Sequence, residues 1–214
     1  MTQMNTLKIA DFEKYSEAHT KPIHPILEEL KERTIAVSEY PQMMVGNLEG
    51  KLLQLVCALS NASRVVEVGT FTGYSTLCLA DAVGPNGEVL TIDVNPETTA
   101  IAKEFVDRAG LGDRVTFAIG SAAEVIDGVE GPIDFAFIDA DKSNYDVYYE
   151  LLLPKLKTTG FILFDNMLWG GGVLNPKTPE DKALHALNEK LTADERVENF
   201  LIPLRDGIQI VQKL

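Results

Sequence analysis

Apolar residues recur at helical spacing through the first 59 residues of the chain. Ile26, Leu27 and Leu30 form one such series, and a second extends over residues 48–59. Tyr40-Pro41 separates the two series, because a residue that precedes proline avoids the helical conformation. The pattern predicts a cap of N-terminal helices over residues 1–59.

From residue 60 onward, short apolar runs alternate with segments of helical periodicity. This alternation is typical of an α/β fold with a mainly parallel sheet and helices on both faces. A closing hairpin would add an antiparallel edge, and the whole chain would form one domain with residues 60–214 as its α/β core. Strands are predicted at residues 65–68, 89–93, 115–119, 133–138, 161–164, 197–202 and 208–212, and helices at 74–82, 96–109, 122–126, 145–156 and 179–191.

The charge and composition of the chain exclude some classes of binding partner and location. The 214 residues have a formal net charge of −13, which would repel a polyanion, so nucleic acid is not an expected partner. The apolar runs fall short of a membrane span and no signal-peptide pattern is present, so no membrane association is expected. Cys57 and Cys78 lie in apolar helical segments without a disulfide framework, which favours a reduced, cytoplasmic location.

A glycine loop follows the first predicted strand. Gly69 and Gly73 lie four positions apart, which is not the GxGxxG spacing of dinucleotide sites, and Glu67 precedes them. A carboxylate at that point would repel a pyrophosphate but would suit a cationic ligand. Asp93 ends the second strand, where a carboxylate accepts from ribose hydroxyls. Together they favour S-adenosylmethionine as the ligand, while a plain strand–turn–helix with glycines for backbone geometry is the alternative.

Acidic residues also end the next two central strands. Asp139 and Asp165 each follow a strand, and Asn166 comes next, which gives a set of hard oxygen donors suited to Mg²⁺. The alternative is that the aspartates only cap or turn the chain. Lys142 lies close enough to overhang a bound substrate as a neutral amine base, whereas a solvated surface lysine is the simpler interpretation.

The chain resembles the cation-dependent O-methyltransferases, the family that contains the catechol and caffeoyl-CoA O-methyltransferases. The matching segments run in family order from Val65 to the C terminus: VVEVGTFTGYSTLCLA, VLTIDVNPE, FIDADKSNY, ILFDNMLWGG and PLRDGIQIVQK. The pair FIDADKxNY and FDNxLWGG is highly specific, whereas the glycine loop alone would indicate only a methyltransferase.

The resemblance implies a Rossmann-like class I methyltransferase fold with a seven-stranded, mostly parallel sheet whose last strand is antiparallel. It implies that Asp139, Asp165 and Asn166 bind a divalent metal ion, Mg²⁺ or else Mn²⁺ or Ca²⁺, and that Lys142 is the base. A homodimer is implied as well. The implied S-adenosylmethionine site comprises Val45, Glu67, Gly69, Thr70, Ser75, Asp93, Ala122, Asp141 and Tyr148.

Two segments depart from the family pattern. The family often has Glu-Gly-Gln where this chain has Glu49-Gly50-Lys51, and Arg205 stands where a small residue is common. The first 40 residues match only loosely. Acceptor identity is therefore left open.

The resulting hypothesis is methylation of a catechol-like phenolic of the caffeoyl, catechol or flavonoid type. The diol would chelate the cation between Asp139 and Asn166, Lys142 would take its proton, and Trp169 in the following Gly-rich loop would stack on the ring as a mobile gate. A tryptophan wedged into the core is the alternative for Trp169. Two other functions stay open: a nicotinamide-dependent oxidoreductase, and a methyltransferase-like binding module without catalysis.

Overall fold

The computed structural model describes residues 9–214, and the side chains from residue 11 onward. The predicted helical cap is present over this range, whereas its first eight residues lie outside the described part. Pro41 begins a single 3₁₀ turn, Pro41–Met43, that divides the cap as its sequence predicts. The helices of the cap are α1 (Ile9–Ala18), α2 (Ile26–Val37) and α3 (Asn47–Leu59).

The sheet confirms the predicted fold class. Its seven strands lie in the order β3-β2-β1-β4-β5-β7-β6, and β7 runs antiparallel to both β5 and β6. The C-terminal hairpin therefore closes one edge of an otherwise parallel sheet. The strands are β1 (Arg64–Val68), β2 (Glu88–Asp93), β3 (Val115–Ile119), β4 (Ile133–Ile138), β5 (Leu156–Phe164), β6 (Val197–Ile202) and β7 (Ile208–Lys213).

Helices cover both faces of the sheet and enclose two apolar cores. One core packs α6, α7 and α8 against residues such as Val66, Ile138 and Phe164. The other packs the cap, α4 and α5 against Val65, Phe137 and their neighbours. Among the described residues, no helix combines the length and the apolar character that a membrane span requires. The helices of the α/β core are α4 (Tyr74–Ala82), α5 (Pro96–Arg108), α6 (Ala122–Asp127), α7 (Tyr145–Leu152) and α8 (Pro179–Ala193).

The junction between α7 and β5 differs from its prediction by four to five residues, whereas the other predicted bounds of the α/β core are met within two residues. The helix predicted over residues 145–156 ends at Leu152, and a 3₁₀ turn, Leu153–Lys155, leads into β5 at Leu156 rather than at residue 161. Pro154 cannot donate to the helix, which explains the early end. The extra length of β5 is polar and half-exposed, so its sequence resembles a loop.

Candidate active site

The carboxyl ends of three neighbouring strands form one edge of the sheet. Val68 of β1 is aligned with Ile138 of β4, whose other neighbour is the end of β5. Gly69, Asp139 and Asp165 follow these ends and therefore lie side by side, and the Asp165 backbone N–H donates to the Ile138 carbonyl over 3.0 Å. Ligands of parallel α/β sheets bind at this edge.

The glycine loop is pressed against the end of β4. Gly69 has φ +104°, and a Cβ atom there would lie 1.9 Å from the Asp139 carbonyl oxygen. Gly73 has φ +92° and begins α4, where a Cβ atom would lie 2.6 Å from the Ala102 methyl group. The two glycines are thus required by backbone conformation and by close packing, and both properties bring the loop to the strand ends.

Asp93 organises this loop. One carboxylate oxygen accepts from the backbone N–H groups of Thr70 and Phe71, at 3.0 and 2.8 Å, and the other accepts from that of Asn95 at 2.9 Å. The sequence predicts Asp93 as a ribose ligand, but its role in holding the loop was not foreseen. A carboxylate can accept more bonds than these three, so the loop-holding role is compatible with the predicted one.

Glu67 is fully buried beneath the loop. One carboxyl oxygen accepts from the hydroxyls of Thr76 and Thr91, at 2.5 and 2.6 Å, while the other has no hydrogen-bond partner in the described part of the chain. Burial raises the pKa of this carboxyl to about 7, against the opposing hydrogen bonds of Ser75 and the two threonines. The free oxygen is a buried acceptor available to a ligand.

Among the other predicted cofactor residues, Ala122 and Asp141 follow strands of this edge, whereas Val45 belongs to the cap. Val45 precedes α3 and is packed in the same core as Tyr74 at the start of α4. Ala122 begins α6 just beyond β3, and Asp141 follows β4, where it accepts from the Tyr148 hydroxyl over 2.5 Å. The fold therefore brings together residues that the sequence separates by about a hundred positions.

Asp165 is a strongly perturbed carboxyl of this edge. Its pKa is raised by burial and by the neighbouring carboxyls of Glu49 and Asp139. The Asn166 backbone N–H donates to one Asp165 oxygen over 2.6 Å, and Asn166 itself adopts a left-handed conformation with φ +60°. The predicted trio of Asp139, Asp165 and Asn166 is thus assembled in one place, with more negative charge than buried carboxyls normally tolerate.

Lys142 is buried, with 8% of its surface exposed, so the interpretation as a solvated surface lysine is wrong. Its Nζ donates to an Asp139 carboxylate oxygen over 2.9 Å and to the Tyr145 hydroxyl over 2.6 Å. That hydroxyl in turn donates to the Asp165 backbone carbonyl over 3.2 Å. Tyr145 therefore joins the amine to the metal-ligand candidates, a link that the sequence analysis missed although KSNY lies within the matching segment.

Glu49 and Arg205 were noted from the sequence only as departures from a family pattern. In the fold, an Arg205 guanidinium nitrogen lies 2.6 Å from a Glu49 carboxylate oxygen, although 156 positions separate the two residues. Burial raises the pKa of Glu49 and the Arg205 guanidinium opposes that shift, while the Glu49 carboxyl in turn contributes to the raised pKa of Asp165. Only docking of the cap on the core reveals this contact.

Comparisons with known proteins agree with this geometry. A family model described as O-methyltransferase matches residues 16–214. The chain belongs to the O-methyltransferase family.

Relatives and solved structures support the same family. A probable caffeoyl-CoA O-methyltransferase of Arabidopsis thaliana is 38% identical, over 97% of this chain and 96% of that protein. Caffeoyl-CoA O-methyltransferase 1 of Eucalyptus globulus is 35% identical, over 88% of this chain and 81% of its own. The O-methyltransferase of Bacillus cereus, solved in complex with SAH, has a TM-score of 0.87 and 28% identity, over 95% and 97% of the two chains. This membership decides against a nicotinamide-dependent oxidoreductase.

The edge of this O-methyltransferase fits a hard divalent cation. Within residues 9–214, no three His, Cys, Asp or Glu side chains are arranged as a metal site, so a cation would need the Asn166 amide in addition to the carboxylates. One oxygen of the buried Glu49 carboxyl has no hydrogen-bond partner among these residues, and the charge of this carboxyl helps to raise the pKa of Asp165. A cation would offset the clustered negative charge, and oxygen donors are those that Mg²⁺ prefers.

Trp169 of the O-methyltransferase lies beside the amine. Its ring is half-buried against the apolar core, with the Lys142 Nζ 5.8 Å from the ring centre. The backbone is left-handed at Trp169, Gly170 and Gly171. The packing of the ring against the core agrees with the prediction of a tryptophan wedged into the core. Its position next to Lys142 agrees with the prediction that the ring contacts the acceptor.

A cavity of about 910 Å³ lies between the cap and the core. Its lining includes Met44, Val45, Tyr74 and Arg205, together with charged residues of α1 and α2. Met43, next to it in the chain, is 59% exposed. The cavity adjoins the predicted cofactor residue Val45, so the cap contributes to the surroundings of the site.

Proposed function

We propose that this O-methyltransferase uses S-adenosylmethionine and a divalent cation to methylate one hydroxyl of a catechol-like phenolic. The observation on which the proposal rests is the buried Lys142, bonded to Asp139 beside Asp165 at the ligand-binding edge. A buried amine among carboxyls is costly unless it has partners, and its position there favours a role in proton transfer.

S-adenosylmethionine is supported by the loop and by the relatives. The Bacillus cereus structure holds SAH, the product that methyl transfer leaves from this cofactor. In this chain two acidic residues flank the loop that begins at Gly69, and they would face a cationic nucleoside: Asp93 at the end of β2 and the free oxygen of Glu67 in β1. Neither carboxylate would favour a phosphate.

The residues of the chain divide the remaining tasks. Asp139, Asp165 and Asn166 would hold the cation, which when bound lowers the pKa of the acceptor hydroxyl, while S-adenosylmethionine supplies the methyl group. As a neutral amine, the Lys142 Nζ would accept the proton of that hydroxyl and become an ammonium beside Asp139, while Asp139 and Tyr145 fix the position of this nitrogen. The protein's main contribution is to hold the two reacting atoms at about 3–3.5 Å.

The donor set and the relatives support a phenolic diol as the acceptor. Three protein donors leave about three of the six positions that Mg²⁺ prefers, which suits two adjacent hydroxyls of one ring. The plant relatives are named caffeoyl-CoA O-methyltransferases, and a rice relative is named tricin synthase 1, which supports a phenolic acceptor. Trp169 beside Lys142 would contact the face of that ring.

The decisive experiment is a methylation assay on a panel of caffeate, caffeoyl-CoA, catechols and flavonoids, read as a mass gain of one methyl group. With Mg²⁺ present, at least one diol should be methylated. Tight binding of S-adenosylmethionine without methylation of any acceptor would instead favour a binding module without catalysis.

The metal role has a separate test in Asp165→Ala. Turnover should fall by about 100-fold or more, because a positioned electrostatic group is lost, while S-adenosylmethionine still binds in calorimetry. Asp113→Ala, an exposed carboxylate before β3, is the matched control. Full activity of Asp165→Ala in the presence of a chelator would show that the cation has no part in the reaction.

A further inference from the structure

Glu49 and Arg205 form an ion pair next to the proposed cation site. Glu49 lies in the first turn of α3 with 1% of its surface exposed, and one carboxylate oxygen contacts the Arg205 guanidinium at 2.6 Å. Neither residue has a task in the proposed reaction. Arg205 is partly exposed, but burying the Glu49 carboxylate costs desolvation energy, so its presence calls for a reason other than stability.

Arg205 adopts a backbone conformation that does not favour arginine. Its φ is +49°, in the left-handed region where glycine is the low-cost residue. Its guanidinium also donates to the Met44 carbonyl, over 3.4 Å, and its backbone N–H donates to a Glu13 carboxylate oxygen over 3.1 Å. A turn alone would be satisfied by glycine, so the strained position serves the guanidinium.

The second carboxyl oxygen of Glu49 points to a ligand. It is buried and has no hydrogen-bond partner among the described residues, and the Glu49 carboxyl is close enough to Asp165 to raise the pKa of that carboxyl. An unpartnered carboxylate oxygen is costly inside a protein unless a cation or a donor comes to it. Asp139 has Lys142 as its partner and Glu49 has Arg205, but the structure pairs Asp165 with neither cation.

We propose that Glu49 and Arg205 form a charge-setting pair for the cation site, a proposal that rests on the cation dependence proposed above. Glu49 supplies an outer oxygen that attracts the cation beside Asp165 and holds its water. Arg205 holds Glu49 in place and limits the negative charge that the cation experiences. An outer role agrees with the finding that no three acidic side chains of residues 9–214 form a ligand set.

The test is the affinity of the full chain for Mn²⁺, measured from free-ion electron paramagnetic resonance without acceptor or cofactor. Glu49→Gln should weaken binding on the order of 10-fold, as removal of groups that support ligands does. Arg205→Gln should bind at least as tightly as the parent, because a positive charge is lost. The double variant should return close to the parent, since it has the same net charge.

The order of these Mn²⁺ affinities distinguishes charge setting from a structural role. If Glu49→Gln and Arg205→Gln weaken binding equally and the double variant is weaker still, the pair only supports the fold and the inference is wrong. If Arg205→Gln fails to fold, the Mn²⁺ affinities of Glu49→Gln and of the double variant still decide between the two roles. Only charge setting predicts that the double variant regains the affinity that Glu49→Gln loses. Lys157→Gln, which breaks an ion pair with Asp134 at the opposite edge, is the matched control and should leave affinity unchanged.

An unchanged Mn²⁺ affinity in Glu49→Gln would also overturn this inference while leaving the proposed function intact. By contrast, a parent protein that binds no Mn²⁺ at all would contradict the cation dependence itself.

Discussion

Lys142 is the residue whose chemistry the fold specifies most completely. Its nitrogen is buried and held by one carboxylate and one phenol, so its distance from an acceptor is fixed by the fold. Lys142→Met should lower kcat by about 10²–10⁴-fold, the usual contribution of a positioned acid or base, because the proton acceptor is lost. The measurement is kcat at saturating diol and Mg²⁺.

Binding of S-adenosylmethionine gives the control for that variant. Lys142→Met should bind the cofactor as the parent does, and Lys182→Met, an exposed lysine of α8, should keep full turnover. A kcat within twofold of the parent in Lys142→Met would remove the lysine from the mechanism.

The sequence predicts site residues where the topology determines their position. Asp139, Asp165 and Asn166 follow neighbouring parallel strands, and strand ends share an edge, so their proximity follows from the pattern alone. Glu49 and Arg205 could not be paired in this way, because their contact depends on how the cap docks. Periodicity predicts which face of a helix is apolar, but not where that face will dock.

At the scale of elements, the glycine loop has the tightest packing of the site. In Gly69→Ala the new methyl group would meet the Asp139 carbonyl, so the loop or the end of β4 must move. Overpacking and left-handed strain together should cost about 3 kcal/mol or more of unfolding free energy, and cofactor affinity should fall as well. Chemical denaturation and calorimetry measure the two effects.

Gly84 provides the comparison for that prediction. It also has a positive φ, +74°, but a Cβ atom there would meet nothing within 4 Å. Gly84→Ala should therefore cost only the backbone strain, about 1–2 kcal/mol, with cofactor affinity unchanged. Equal losses in the two variants would mean that the close approach to β4 is not what constrains Gly69.

The bounds of strands and helices could be predicted from the sequence, except where a strand has no pattern of apolar residues that would mark it. β3, β4 and β6 have the predicted bounds, because each is a continuous run with an apolar face. The first half of β5 contains Lys157, Thr158 and Thr159, which are polar and only partly covered, and Gly160 follows them. Such a stretch does not differ from a loop until its neighbours are in place.

At the scale of the whole molecule, the site is completed only when the cap and the core meet. Val45 and Glu49 come from the cap, whereas the strand ends come from the core. The Thr34 hydroxyl of α2 donates to that of Thr72 in the glycine loop over 2.9 Å, and Arg205 contacts the Met44 carbonyl. Docking of the cap and formation of the cofactor loop are therefore coupled.

This assembly makes stability depend on pH through buried acids. Glu67 has a pKa of about 7 in the fold against 4.5 as its ordinary value, because burial disfavours its charge. The folded state thus keeps a proton that the unfolded state releases, and stability should fall as pH rises from about 4.5 to about 7, then level off. The shift corresponds to about 3 kcal/mol.

Glu67→Gln should remove this part of the pH dependence. Chemical denaturation of the ligand-free protein at about pH 5, 6, 7 and 8 should show the parent losing more unfolding free energy than the variant over the window. Some slope should remain in the variant, because burial also raises the pKa of Glu49 and of Asp165, which act in the same direction. Parallel curves for the two proteins would mean that Glu67 is ionised in the folded state throughout, so that its buried carboxylate is stabilised by its threonine partners alone.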